Sequence, residues 1–485
     1  MESAPPQFLA VDLGASSGRA LLGTLRDGRV EVEAVHRFET PMIEDGDRLY
    51  WDLEALEAEV ETGVRKGLDA APALRSVSVD SWAVDTVPLD EDGQPLRNPY
   101  CYRDPRTQAV MDDVLTAELR TEIYDTTGIQ FLPINTLYQV LADQRMEPDV
   151  VERTALRLPI ADYLHYRLCG EAVAERSMAS TTQLLDVRTG DWATDLMEHL
   201  GIDPDTWPRV VPPATRLGPL APPANSPLAP RSSTVEVVAG CTHDTACAVA
   251  ATPAAPDGPP WAYISCGTWS LLGVERTAPL LTDAAREAGF TNELGLDGTV
   301  RFLKNLTGLW VLQECERAWA AEGQQFDYDT LQREARAAEP HGTIDLDDPR
   351  FLERGEMPRK IEAYCREHGQ PVPETRGAFV RLVLESLAAD HRDKLAVLAD
   401  LVDAPLEVIH LVGGGARNEL LCQWTADATG RRVVAGPAEA TALGNLLIQA
   451  RAMDGLPDDT PIRDVVRAST TLRTYDPAAT SPLRD

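Results

Sequence analysis

A chain of 485 residues with 44 % hydrophobic content is folded and too long for one ordinary core, so two or three domains are expected. Its formal net charge of −32 repels nucleic acid and anionic membrane, both of which need clustered Lys and Arg. No apolar run approaches the roughly 20 residues that span a bilayer, and the start Met1 to Gln7 lacks the basic region of a signal peptide.

These features predict a cytoplasmic protein acting on small molecules, without nucleic-acid or membrane partners. The eight cysteines contain no C-x-x-C pair, which predicts reduced thiols rather than a zinc site or disulfide framework.

In chain order, residues 7–13 read as a buried strand, 14–18 as a turn and 19–25 as a returning strand, so the chain opens with a hairpin. A third strand is predicted at 30–38, a helix at 52–69 and a strand from Ser76 to Val84. Mostly helical patterns follow to about 208, and the Pro-, Ala- and Ser-rich stretch 211–232 predicts a linker or surface crossing. The opening then recurs: Trp261 to Cys266 is a strand, Gly267-Thr268 a turn, and Trp269 to Val274 the return. Leu406 to Val412 is a strand feeding Gly413-Gly414-Gly415, before a helix at 418–429 and a strand at 431–435. Two hairpins half a chain apart predict two related α/β domains facing one cleft.

The turn from Asp12 to Arg19 has the parts of a phosphate cradle: glycines for close backbone approach, Ser16 and Ser17 as donors, Arg19 for charge, and Asp12 to hold a hydrated Mg²⁺. An ordinary hairpin with glycines at positive φ reads the same way. Thr268 in the second hairpin and the triglycine turn at Gly414 are further phosphate or nucleotide candidates. There is no G-x-x-x-x-G-K-[ST] and no G-x-G-x-x-G in this position, which excludes a P-loop enzyme and disfavours a Rossmann dehydrogenase.

Asp244, after a strand and at the head of an Ala-rich helix, can serve as the base of a phosphoryl transfer or simply as an N-cap, a role open to Thr242 as well. Polar clusters able to grip a sugar are Asp80 to Asp85, Tyr102-Arg103-Asp104, Gln130 to Gln139 around Asn135, and Lys304-Asn305. Each also reads as core or as a structural ion pair.

With these residues assembled, the chain resembles the FGGY family of carbohydrate kinases and, within it, the members acting on L-rhamnulose. The resemblance spans nearly the whole length. It is carried by Val-Asp-Leu-Gly-Ala-Ser-Ser-Gly-Arg at 11–19, Tyr-Arg-Asp at 102–104, Thr-Gly-Ile-Gln-Phe-Leu-Pro at 127–133 and His-Asp-Thr at 243–245. Further along stand Ser-Cys-Gly-Thr-Trp-Ser at 265–270, Leu-Lys-Asn at 303–305, Val-Gly-Gly-Gly at 412–415 and Ala-Gly-Pro-Ala-Glu-Ala-Thr-Ala-Leu-Gly-Asn at 435–445.

The resemblance implies an α/β fold of two actin-like, ribonuclease-H-like ATPase domains flanking a catalytic cleft. They are expected at 1–245 and 246–460, with a tail at 461–485. It implies transfer of the γ-phosphate of ATP to the 1-hydroxyl of L-rhamnulose, with L-fuculose or L-xylulose as alternatives and an actin- or Hsp70-like ATPase as a distant one. Asp244 would be the proton acceptor, and Ala83, His243, Asp244, Thr245 and Asn305 would hold the sugar. Ala15, Ser16, Ser17, Gly18, Arg19, Thr268, Gln313 and Gly414 would meet ATP, and Asp12 would hold Mg²⁺ through water. Two positions depart from the family pattern. Ala83 stands where a Gly is common, and Cys241-Thr242 where a small residue and Ser are usual.

Overall fold

The run Gln7–Leu13 is apolar at most positions and forms a strand buried almost throughout, as a central strand must be. It turns back antiparallel on Ser17–Arg26 and pairs in parallel with Leu74–Ser81. These strands belong to a six-stranded sheet ordered 215–219, 236–239, 74–81, 7–13, 17–26, 29–39. The edge strand Arg29–Glu39 is largely exposed and dotted with charge, which discourages edge-to-edge pairing. Helix Leu53–Ala70 starts where Asp52 accepts from the Ala55 amide at 3.1 Å. It buries Leu56, Val60 and Val64 along one face. Its Gly63 and Gly67 come so near the sheet that a Cβ would meet Ala20 at 2.8 Å and Leu9 at 2.7 Å.

This computed structural model describes residues 4–224, 226–228, 234–324, 326–457 and 459–478. They form two units. The first gathers the described parts of Met1–Ala251, Glu275–Phe302 and Thr441–Ser469, the second those of Thr252–Val274, Leu303–Ala440 and Thr470–Asp485. In the second, Trp261–Cys266 turns back antiparallel on Trp269–Arg276 and pairs in parallel with Val408–Val412. Arg432–Ala435 follows in parallel and Arg473–Tyr475 antiparallel. Both sheets therefore contain a hairpin whose first arm takes a parallel partner, so the echo in the sequence is a structural repeat.

Two expectations need adjustment. The predicted strand ending at Val84 stops at Ser81, and Val84 itself, with φ 70°, lies outside any strand conformation. The stretch 211–232 contains Thr215–Pro219, an edge strand paired antiparallel with Glu236–Ala239; Asn225 and 229–232 lie outside the described residues.

Helix Ala440–Ala452 lies mostly, and helix Ile462–Ser469 wholly, in the first unit, the former for a polar reason. The fully buried amides of Asn445 and Gln449 need partners, and the first sheet supplies them. Asn445 Nδ2 donates to Asp80 Oδ2 at 2.6 Å and Gln449 Nε2 to the Leu9 carbonyl at 3.0 Å, while Ser76 Oγ donates to Gln449 Oε1 at 2.7 Å.

Beside Asn445, Gly444 crosses the helix Asp244–Ala250 so closely that a Cβ would lie 2.0 Å from the Cys247 carbonyl. Gly444→Ala is expected to destabilise the chain by about 1–3 kcal/mol through overpacking, read as a lowered midpoint in denaturant. An unchanged midpoint would show that the two helices can part freely.

Candidate active site

Strand register places Asp12 opposite Arg19 on one side and Asp80 on the other. Arg19 donates from Nε and Nη2 to the same oxygen, Asp12 Oδ2, at 3.0 and 2.8 Å. Asp80 is fully buried, with Oδ2 held by Asn445 and Oδ1 lacking any hydrogen-bond partner among the described residues. Burial first, and the neighbouring Asp12 second, hold its carboxyl well above the usual carboxylate range.

The turn after Asp12 is braced from outside, with the Thr40 hydroxyl donating to the Gly14 carbonyl at 2.6 Å and the Gly14 amide to the Ser17 carbonyl at 3.0 Å. Ser16 and Ser17 are exposed, Ala15 and Arg19 half-buried. Gly18 packs beneath the Phe38 ring, where a Cβ would lie 2.2 Å from it, so a larger residue would have to displace that ring.

Asp244 opens the helix Asp244–Ala250 rather than capping it; the cap position belongs to His243, which makes no side-chain cap bond. Asp244 Oδ1 accepts from the Thr245 amide at 2.5 Å and the Thr245 hydroxyl at 3.1 Å. Although 32 % of its side chain is open, burial of the surroundings and then Asp12 push its carboxyl up to about 7. Thr242 is likewise no cap. Its amide and hydroxyl donate to Oε2 of buried Glu175 at 2.9 and 3.3 Å, fixing the segment that enters the helix. His243 is buried between Asp244 and Arg301, and burial and then the Arg301 charge hold its imidazole well below the usual histidine range.

Asp85 organises the first polar cluster. It accepts from Trp51 Nε1 at 2.6 Å, Trp82 Nε1 at 2.9 Å, Gln139 Nε2 at 2.9 Å and the Tyr102 amide at 3.2 Å. These bonds, with Thr136 Oγ1 donating to the Val84 carbonyl at 2.6 Å, hold the strained loop on which half-buried Ala83 sits. Burial pushes the Asp85 carboxyl up to about 6. Asp104 pairs with Arg48 instead of Arg103, whose guanidinium lies over the Tyr102 ring at 5.1 Å. Asn135 is spent internally, donating to the Gln130 carbonyl and to Gln183 Oε1 at 2.7 and 3.1 Å.

The second unit brings together the other group of candidates. Thr268 Oγ1 donates to Gln313 Oε1 at 3.2 Å. Helix Trp310–Ala321 is seated on the hairpin turn through the Leu309 and Trp310 amides, which donate to the Gly267 and Thr268 carbonyls at 2.9 and 3.1 Å. The triglycine turn lies across the end of the same hairpin, with a Cβ at Gly415 meeting Cys266 Sγ at 2.5 Å, while Gly414 is exposed. Asn305 lies on strand Val300–Thr307 in this unit. Ala83, His243, Asp244 and Thr245 lie in the first.

Sequence reading missed Glu175, Glu293, Arg301 and Asn445. Arg301 stands four residues before the quoted Asn305, and Asn445 closes a quoted motif, but nothing in the local pattern names their partners. Among the described residues no helix is long and apolar enough to cross a membrane, and no His/Cys/Asp/Glu group of three or more is arranged to hold a metal ion by itself. None of the eight cysteines, all of them among the described residues, is in a disulfide.

Residues 7–251 match the FGGY family of carbohydrate kinases, N-terminal domain, and residues 262–453 match the C-terminal domain. The rhamnulokinase of Bacteroides thetaiotaomicron is 40 % identical over 471 residues, 97 % of this chain and 96 % of that one. That of Pectobacterium carotovorum is 42 % identical over 482 residues, 98 % and 94 % of the two chains. Plasmodium falciparum glycerol kinase with ADP shares the fold at a TM-score of 0.77 and 14 % identity, covering 98 % of this chain and 94 % of that one. Ligand-bound xylulose kinase from Lactobacillus acidophilus does so at 0.76 and 15 %, with the same coverage.

Asp85→Asn puts an amide donor among groups that already donate. It is expected to cost on the order of 1–3 kcal/mol for a buried unsatisfied group, measured by denaturant unfolding. A midpoint equal to that of the parent protein would remove Asp85 as the organiser of the loop.

Proposed function

Because the chain belongs to the FGGY family of carbohydrate kinases, we propose that it transfers the γ-phosphate of ATP to the 1-hydroxyl of L-rhamnulose, giving L-rhamnulose 1-phosphate and ADP in the cytoplasm. The observation that carries this reading is Asp244: a carboxylate tethered by one oxygen, part open to solvent, with its carboxyl pushed up to about 7 near the Asp12–Arg19 pair. The rhamnulokinase relatives at about 40 % identity over nearly the full chain support the sugar.

The 1-hydroxyl oxygen attacks the γ-phosphorus, the bond to the ADP oxygen breaks, and the hydroxyl proton passes to Asp244. The transition state is loose, so the proton leaves late and a base with a value near working pH suffices. Thr245 and His243 hold the base and, with Ala83 and Asn305, the sugar. Ala15 to Arg19, Thr268, Gln313 and Gly414 take the nucleotide. The chemistry beside the phosphate turn suits a hard divalent cation held through water: Asp12 offers carboxylate oxygen, and its register neighbour Asp80 has a buried oxygen without a hydrogen-bond partner among the described residues. Mg²⁺, when bound, supplies positive charge to the triphosphate, and Asp12 would hold it through water.

Asp244→Asn is expected to lower turnover by about 10²–10⁴-fold, the usual contribution of a general base, with ATP affinity little changed by calorimetry. Turnover within about threefold of the parent, far less than that contribution, would remove Asp244 from the role. The raised carboxyl also sets a sign. Asp244 stays protonated to higher pH than an ordinary aspartate and accepts a proton only as carboxylate. Activity is therefore gained as pH rises through about 7, and kcat/KM is expected to fall about tenfold per pH unit below it. A profile flat down to pH 5 would contradict the assignment.

A coupled ADP-release assay over L-rhamnulose, L-fuculose and L-xylulose tests the substrate, with L-rhamnulose expected to give the highest kcat/KM. A higher value for L-fuculose would move the assignment to that ketose and implicate the extra methyl of Ala83, while leaving the kinase reaction in place.

A further inference from the structure

Arg301 has no solvent exposure at all, an uncommon setting for a guanidinium. Nη1 lies 3.0 Å from Glu293 Oε2, and Nε and Nη2 donate to the Leu294 carbonyl at 3.3 and 3.1 Å. Nη2 also lies 3.1 Å from Nδ1 of His243. A guanidinium has donors only and keeps its proton, so at this contact Nδ1 must be the acceptor. The neutral imidazole then carries its hydrogen on Nε2, the nitrogen that faces Asp244 Oδ1 across 3.3 Å.

The other tautomer has a ready partner too, because Glu293 Oε2 lies 3.5 Å from Nδ1. An Nδ1–H directed there would turn the bare Nε2 lone pair on Asp244 Oδ1, an acceptor facing an acceptor. The arginine decides between these states.

Resting on the base role given to Asp244 above, we propose that Arg301 is a positioning residue for phosphoryl transfer. It keeps His243 as the Nε2–H tautomer, which turns an N–H rather than a lone pair toward Oδ1 of Asp244, the oxygen Thr245 already holds, and leaves Oδ2 to take the proton of the attacking hydroxyl. Oδ1 receives the Thr245 amide and hydroxyl at 2.5 and 3.1 Å, and the imidazole N–H faces the same oxygen from 3.3 Å, where a bare lone pair would repel it. The carboxylate is held in a single orientation, and the sugar hydroxyl meets one oxygen rather than two alternating ones.

The test uses the full chain labelled with ¹⁵N-histidine. Long-range proton–nitrogen spectra separate protonated from bare ring nitrogens, and the signals missing in His243→Gln identify His243. The parent protein is expected to show Nε2 protonated and Nδ1 bare. Arg301→Met is expected to move the hydrogen to Nδ1. It should also lower kcat about tenfold or more, short of the about 10²–10⁴-fold due to the base itself, with KM for ATP within about twofold. Arg301→Lys should restore part of both signals.

A parent spectrum with Nδ1 protonated would overturn the proposal, as would Arg301→Met that keeps the parental tautomer or kcat. If Arg301→Met fails to fold because Glu293 is left buried and unpaired, the parental spectrum alone decides. Full turnover by Asp244→Asn with the Nε2–H tautomer intact would instead sink the base assignment, so the two failures are told apart.

Discussion

Carboxylates forced into one buried field are the constraint on which the first unit depends. Asp12 is paired by register with Asp80, and burial with mutual repulsion raises the carboxyls of Asp80 and Asp244. Such a cluster is unfavourable unless each member is protonated, paired or hydrogen-bonded. The unit supplies one remedy for each: Arg19 for Asp12, Asn445 for Asp80, and Thr245 for Asp244. The placement leaves Asp244 with a raised carboxyl and Asp80 with one buried oxygen that lacks a hydrogen-bond partner among the described residues.

The remedies come from distant parts of the chain, which explains much of the architecture. Asn445 reaches Asp80 across 365 residues. Because it is fully buried, it commits the helix Ala440–Ala452 to the first sheet. Gln449, one turn on, repeats the commitment through Leu9 and Ser76. Glu175 does the same for the segment entering the Asp244 helix by taking the Thr242 amide and hydroxyl. In each case the buried polar group is satisfied by a single set of partners, so the geometry near Asp244 is set by hydrogen bonds as much as by apolar contact.

The second unit solves a different problem, that of packing its hairpin turn and its glycine turn closely together. Its means are small residues. Gly308 fits against Trp269 where a Cβ would lie 2.4 Å from the backbone, and Gly413 and Gly415 lie against Cys266. With no bulk in the way, amides can supply the positive ends of dipoles without adding charge.

Local chemistry was enough to read both hairpins, the glycine turns and the strand-to-helix passage at Asp244, because each is a pattern of neighbouring residues: a buried apolar run broken by one aspartate, or a strand handed to a helix through Gly and Thr. The paired hairpins made the two-domain α/β fold legible too, since each domain repeats its opening. Tertiary structure alone decided which unit the last helices join, that Thr215–Pro219 is a strand, that Asp104 pairs with Arg48, and that Arg301 with Glu293 sets the surroundings of His243. The reason is physical. Apolar periodicity tells a residue only to be buried, whereas a buried charge or amide requires a particular partner. The identity of that partner is a matter of distance in the folded chain, not of position along it.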